Sequence, residues 1–560
     1  MADYSKDILR KQKRWAALEL ERSSFFGHWQ EIAQFLMPRS GRFLVSDRNK
    51  GQKKHNSIYD STGSRALRIL AAGLMAGMTS PARPWFRLKT PDDDLNEQEA
   101  VMRWLDVVTR RMRDVFNSSN TYRALHAIYE ELGAFGTAAC FILEDFQHVV
   151  HCSTLTIGEY VISLDAKGAV VALYRKFDMT VDQLVTEFGI DAVSVKVRDA
   201  YNDARALDAW ITVMHVVEPR AGTEVGKLDS KNMPWASCYF EMSQHEGRYL
   251  RESGFKRLPA LAPRWKVTSN DIYGESPGME ALGDVKQLQH QQLRKAQGID
   301  AITQPPLQMP TMLRGKEVQS QPGGNTYVDS AGTQQAIRPL FEVDLNLRDL
   351  LGDIQDVRSR INDAFYVPLF LMLANDERAQ ITAREIAERH EEKLLMLGPV
   401  LERLHNELLG PLIDITFDRM IEAGIVPPAP PELHGIELKV EFVSMLAQAQ
   451  KAVGITSVDR LLGTVGGFAQ VRPDMLDKLD VDEIVDKYAD MLGIDPTMIL
   501  SDDKVAEIRK ERAKQQQAMM QAQTAPAAAQ TAKTLSETNT TDKNALTDAV
   551  GMFSGYGPQR

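Results

Sequence analysis

YGESPGMEALGDVKQLQHQQLRKAQGI (273–299) and DLNLRDLLGDIQDVRSRINDAF (344–365) are two helical patterns separated by a segment full of helix breakers, and their reading decides the fold. The first places Met279, Leu282, Val285, Leu288, Ala296 and Ile299 on one side. Its Pro277 falls in the first turn, where the missing N–H costs nothing. Residues 304–340 hold Pro305, Pro306, Pro310, Pro322, Gly323, Gly324 and Gly332, with short strand-like pieces such as NTYVDS. The second helix carries Leu347, Leu350, Ile354, Val357, Ile361 and Ala364 at three-and-four spacing, a stripe to be buried. Asp349, Asp353, Asp356, Arg360 and Asp363 form another stripe at the same spacing, mostly acidic. A single chain buries both faces of such a hairpin poorly, which favours side-by-side packing with copies of itself. The acidic stripe is then either a solvated outer face or the lining of a ring.

Downstream, YVPLFLMLANDERAQI (366–381) reads as a short connection. A capping box of Thr382 and Glu385 opens a helix running toward Ala423, roughly 60 Å at about 1.5 Å per residue. The steps Gly398-Pro399 and Gly410-Pro411 must kink it, because each proline removes a donor and crowds the preceding turn. VPPAPPEL (426–433) is a linker, and 437–512 return to helical patterning. From about 514 the chain is rich in Gln, Ala and Thr, a marginal helix or a disordered tail.

Upstream, residues 7–37 predict an amphipathic helix through Trp15, Leu18, Phe25, Trp29, Ile32 and Phe35, ending at Pro38. The loop 39–56 is basic, either a solvated surface or a contact for acidic neighbours or nucleic acid. In 58–88, Thr62 or Ser61 caps a helix whose Ala66, Ala71, Ala72, Gly73, Ala76 and Gly77 permit close packing. Helices are expected near 96–116 and 121–133, and a strand at 137–145. Strands continue through 161–177 with a turn at Lys167-Gly168, and again over 208–265. Between them Thr180 and Gln183 form a capping box for a short helix stopping at Gly189. The first 265 residues therefore predict an α+β body.

Composition sets the bounds. The 560 residues suggest several domains, and 43% hydrophobic content rules out wholesale disorder. A net charge of −10 argues against coating nucleic acid through bulk positive charge. Three cysteines make no disulfide framework, and no apolar run is long enough for a membrane span. The charged amino terminus lacks the apolar core of a secretory signal, so a soluble, intracellular protein is expected.

Chemistry is sparse. Gly222 to Leu228 falls one residue short of a phosphate loop and has leucine where a magnesium-ligating hydroxyl belongs. His390-Glu391-Glu392 lacks the second histidine of a zinc helix, so His390 and His405 are read as facing solvent or a packing partner. Cys140 and Cys152 have no companions for a tetrahedral metal site, and Cys140 is expected in the core. The clusters Asp92-Asp93-Asp94 and Asp502-Asp503 are read as surface, and no Gly-x-Ser-x-Gly elbow occurs. No catalytic residue, cofactor or metal is assigned, although carboxylates converging in space as in a nuclease stay open.

Three blocks carry a family likeness: YDSTGSRALRILAAGLMAGMTSPARPWF (59–86), RKFDMTVDQLVTEFG (175–189) and PRWKVTSNDIYGESPGMEALGDVKQLQ (263–289). Together they resemble the portal, or head-to-tail connecting, protein of short-tailed bacteriophages, especially the T7-like group. The likeness spans about 15–500. It implies a helix-rich α+β portal fold with a wing (1–265), a first stem helix (266–300), a clip (301–343) and a second stem helix (344–365). A tunnel loop (366–381), a long kinked wing helix with linker (382–433), a crown (434–512) and a flexible or barrel-like tail (513–560) complete it. The resemblance implies a ring, typically dodecameric, at one capsid vertex, in the virion and, during assembly, in the host cytoplasm. Its implied partners are further copies of the chain, double-stranded DNA held non-specifically, the terminase large subunit, scaffolding and major capsid proteins, and tail or adaptor proteins, with no membrane. It places Leu371, Met372, Leu373, Asn375, Asp376, Glu377 and Arg378 at the tunnel loop. Asp349, Asp353, Asp356 and Arg360 then line the channel, where an acidic surface repels phosphates and prevents sticking. Arg358 and Arg360 alternatively pair between subunits. A ring-forming assembly adaptor that never touches DNA is the competing reading.

Overall fold

Buried tryptophans fix the amino-terminal helix first. Helix α1 (Ser5–Phe35) seats Trp15, Trp29 and Ile32 in the interior and ends ahead of Pro38. The computed structural model describes residues 4–43, 54–92, 95–96, 98–203, 205–222, 229–242, 246–269, 271–303, 307–308, 338–339, 347–374, 397–433, 435–436, 438–443, 464–465, 484–485 and 504–516. The chain divides into two compact units, Met1–Leu462 and Gly463–Arg560.

In the first unit, α2 (Thr62–Met78) leads into strand β1 (Phe86–Lys89) and helices α3 (Glu99–Ser118) and α4 (Thr121–Phe135). Strands β2 (Ala139–Asp145), β3 (Val149–Leu155), β4 (Tyr160–Leu164) and β5 (Val170–Thr180) follow. Short helices α5 (Val181–Phe188) and α6 (Val195–Asn202) precede β6 (Trp210–Pro219), β7 (Trp235–Glu241), β8 (Arg251–Phe255) and β9 (Ala260–Leu261). The expected capping box at α5 is complete: Thr180 accepts from Gln183 N, and Gln183 accepts from Thr180 N. Next come α7 (Pro277–Thr303), β10 (Leu307–Gln308), β11 (Arg338–Pro339), α8 (Leu347–Ala364) and α9 (Val367–Ala374). Helix α10 (397–404) enters a π-helical turn (His405–Leu409), then α11 (Gly410–Glu422), and β12 (Lys439–Phe442) closes the described part of the unit. The second unit is described mainly as helix α12 (504–516).

A five-stranded antiparallel sheet runs β4-β5-β6-β7-β8, and a three-stranded one runs β3-β2-β9. β1 pairs with β12 across the chain, and β10 with β11. One large apolar core joins α1, α2, α3, α4, the three-stranded sheet and the carboxy-terminal helices. A smaller core under the five-stranded sheet holds Ile8 and Trp15 of α1. Cys140 is buried with a free thiol, as its apolar strand suggested.

Two expectations change locally. Neither Ser61 nor Thr62 caps α2; Asp60 Oδ1 accepts from Thr62 N at 2.9 Å and from Thr62 Oγ1 at 2.6 Å. Residues 366–381 are not a plain connection, since 367–374 are the helix α9. At Gly410-Pro411 the helix passes through a π-helical turn: Gly410 N–H reaches back to His405 O. Pro411 has no N–H to offer, and the wider turn accommodates that loss. Gly398-Pro399 lies at the start of the described part of α10. Residues 44–53, 223–228, the NTYVDS piece, His390, the capping box at Thr382 and most of 434–512 lie outside the described residues.

One core acid has a pH signature. Glu131 on α4 is buried and accepts from Thr156 Oγ1 at 2.8 Å and from Ile157 N at 3.3 Å. Burial, only partly offset by those bonds, pushes its pKa up to about 7. The folded protein thus keeps a proton that the unfolded chain releases near 4.5, and stability falls as pH rises between those values. The integrated loss is about 3 kcal/mol. Melting curves of wild type from pH 5 to 8 should slope downward, and Glu131→Gln should flatten them.

Candidate functional site

Helices α7 and α8 lie together. Arg360 of α8 reaches Asp284 of α7 at 3.3 Å, and Gln291 of α7 donates to Asp353 of α8. Higher numbers on one helix meet lower numbers on the other, so the pair is an antiparallel hairpin, joined at its far end by β10 and β11. The near half of α7 buries Ala281, Leu282, Val285 and Leu288, and α8 buries Ile354, Val357 and Ile361. Toward the far end the apolar side chains come out: Ile299 is 39% exposed, Ile302 46% and Leu351 48%. That end projects from the body with apolar groups uncovered.

A polar joint fastens the hairpin to α2. While Asp60 Oδ1 caps α2, its Oδ2 accepts from Arg358 Nη2 at 2.7 Å and from Gln292 Nε2 at 2.9 Å. Gln289 Oε1 accepts from Tyr59 N and Asp60 N, and its Nε2 donates to Asp60 O. Burial alone would raise the Asp60 carboxyl, but the bonds from Thr62 and Arg358 outweigh it and hold the pKa below the usual value. The associated stability is present above the ordinary carboxylate pKa and lost as pH falls through the lower folded value.

The segment 263–277 builds the other attachment. Arg264, 3% exposed, donates through Nη2 to Glu407 Oε1 at 2.7 Å and through Nε to Oε2 at 3.2 Å. It also donates to Gly168 O at 2.7 Å, and Arg403 shares Glu407. One guanidinium therefore ties the β4–β5 turn to the π-helical turn of the long helix. Tyr273 packs its ring against Phe25 and Trp29 of α1. A Cβ on Gly274 would stand 2.3 Å from Gly136 O, so two backbones meet where no side chain fits. Ser276 donates to Ala134 O and accepts from Met279 N, opening α7. His405 stacks on Phe442 at 4.1 Å between centroids, and burial pushes its pKa down to about 4.

On α8 the predicted stripe is exposed: Asp349, Asp353, Asp356, Arg360 and Asp363 all face away from the buried Ile354–Val357–Ile361 side. They are not equivalent. Asp353 is engaged by Gln291, and Arg360 lies between Asp284 and Asp356, the latter at 3.8 Å. Arg358 and Arg360 both have partners within the chain, at Asp60 and Asp284. Leu371, Met372 and Leu373 sit on α9, with Leu371 44% exposed. Asn375, Asp376, Glu377 and Arg378 lie outside the described residues. No group of His, Cys, Asp and Glu among the described residues could hold a metal ion, and no described helix is long and apolar enough to cross a membrane.

Several of these participants carried no distinct sequence signal. Asp60 was missed as the cap because Ser61 and Thr62, equally suited by type, follow it; its spacing two residues before Thr62 in YDST was the available signal. The Arg264–Glu407 pair spans 143 positions and could only be found in three dimensions.

The chain is similar to known proteins along most of its length. Residues 10–500 match the family described as "Bacteriophage head to tail connecting protein". The chain is 56% identical over 543 residues to a "Probable portal protein" of Bordetella phage BPP-1, covering 97% of this chain and 98% of that one. It is 47% identical over 561 residues to a "Portal protein" of Salmonella phage epsilon15, covering 100% of both. Among solved structures it is similar to a chain in the neck of an empty gene transfer agent particle, with a TM-score of 0.35, 12% identity, and coverage of 76% of this chain and 92% of that chain.

Proposed function

The chain belongs to the bacteriophage head-to-tail connecting, or portal, protein family, and from that premise we propose that it forms the ring through which double-stranded DNA enters and leaves the capsid. Membership carries a structural role in the virion and association in a homo-oligomeric ring with other head and tail proteins. Beyond it, the reading is a DNA conduit that nucleates capsid assembly with scaffolding and capsid proteins and docks the terminase and tail proteins.

The observation that carries the conduit reading is the projecting hairpin with one acidic face turned from the body. If the body lies outside, Asp349, Asp356 and Asp363 line the bore, repelling the phosphate backbone and keeping static contacts few. Ile299, Ile302 and Leu351 at the far end then pack against neighbouring copies.

Electron microscopy of the purified protein should show rings with a central hole, and a map should place α8 nearer the axis than α3. Solitary particles, or α8 on the outer rim, would overturn the reading. Rings that assemble heads normally but never contact DNA would support the assembly adaptor instead.

A further inference from the structure

The corner between α8 and α9 is two residues, Phe365 and Tyr366, and the second has an improbable identity. Tyr366 has φ +55°, in the left-handed region where glycine or asparagine is favoured. Its N–H bonds Asp363 O at 3.0 Å, closing the end of α8, and its C=O accepts from Phe370 N at 3.2 Å, opening α9. One residue is therefore both the left-handed terminator of one helix and the cap of the next, and tyrosine is a poor choice for either task. Such a conflict between local preference and observed conformation persists only where surroundings over-determine it.

Two contacts supply that constraint. The Tyr366 ring packs beside Trp265, with 6.4 Å between centroids. Four residues along, the Phe370 ring lies directly on the backbone of α2: a Cβ at Gly73 would stand 2.2 Å from Phe370 Cγ. Gly73 sits mid-helix, where glycine weakens the helix, so its presence is explained by this seat. The Asp60–Arg358 joint holds α2 to α8, and the seat holds α2 to α9. The three helices form a closed triangle whose third vertex is Tyr366.

We propose that Tyr366 is a positioning residue: held in a strained corner by Trp265 and by the seat of Phe370 on Gly73, it sets the direction in which α9, and hence the channel segment after it, leaves the stem. This rests on the channel reading only for its consequence; the corner itself is a property of the folded chain. Tyr366→Gly removes both strain and ring, and Tyr366→Phe keeps the ring. Hydrogen exchange on the assembled protein should show amides of 369–374 exchanging at least tenfold faster in Tyr366→Gly, with α8 unchanged and Tyr366→Phe like wild type. Gly73→Ala, which attacks the opposite vertex, should loosen the same amides. Unchanged exchange in 369–374 in either variant, or equal loosening of α8 and α9, would overturn the proposal. DNA retention in particles carrying Tyr366→Gly separates the two readings. Faster exchange with poor retention supports both; faster exchange with normal retention keeps the corner and removes the channel role of the segment.

Discussion

Replacing Asp349, Asp356 and Asp363 together by lysine should leave rings intact and cut DNA packaging at least tenfold at low salt. These three positions share the exposed face of α8, whereas Asp353 is engaged by Gln291 and Arg360 by Asp284 of α7. Each new ammonium can neutralise a phosphate and release a counterion, which converts a repelling wall into a series of sticky contacts. Such contacts weaken steeply with salt, so raising ionic strength should restore part of the rate, opposite to the behaviour of a simply misfolded ring. An all-asparagine version should fall between wild type and lysine. If the lysine variant packages normally, the face does not line the DNA path. If it fails only to form rings, the face is a contact between subunits.

Arg264→Ala is expected to be the most destabilising single change, by about 3–5 kcal/mol, because it removes one partner of a nearly buried ion pair and abandons the other. Glu407 would keep only Arg403, on the more exposed side, and Gly168 O in the partly exposed β4–β5 turn would lose its donor. The π-helical turn would lose its tie to the β4–β5 turn, so the effect should concentrate on the long helix. Thermal unfolding should show a shift on the order of 5–10 °C, with proteolysis appearing first near 403–412. Arg264→Lys should recover only part of the loss, since an ammonium cannot reproduce the two-pronged bond. A shift below about 1 °C would mean that the long helix is held by its apolar contacts alone.

The chain's own text determined the elements and the order in which they occur. The stripe Leu347–Ala364 has one geometry that hides it, the 3.6-residue helix, and Pro277 marks where α7 begins because its missing N–H is harmless there. The Thr180–Gln183 box and the Lys167-Gly168 turn are equally local, settled by atoms within four residues of each other. The joints were not legible in this way. Asp60 meeting Arg358, Arg264 meeting Glu407, and Phe370 lying on Gly73 bring together positions from 143 to 298 residues apart, and no periodicity encodes such distances. Residues 366–381 read as a short connection, and nothing local marks Tyr366 as a left-handed corner; packing against Trp265 and α2 holds it there and seats the helix Val367–Ala374 that follows. Local propensities decided what each segment becomes, and the exclusion of water from the contacts between segments decided where each one stands.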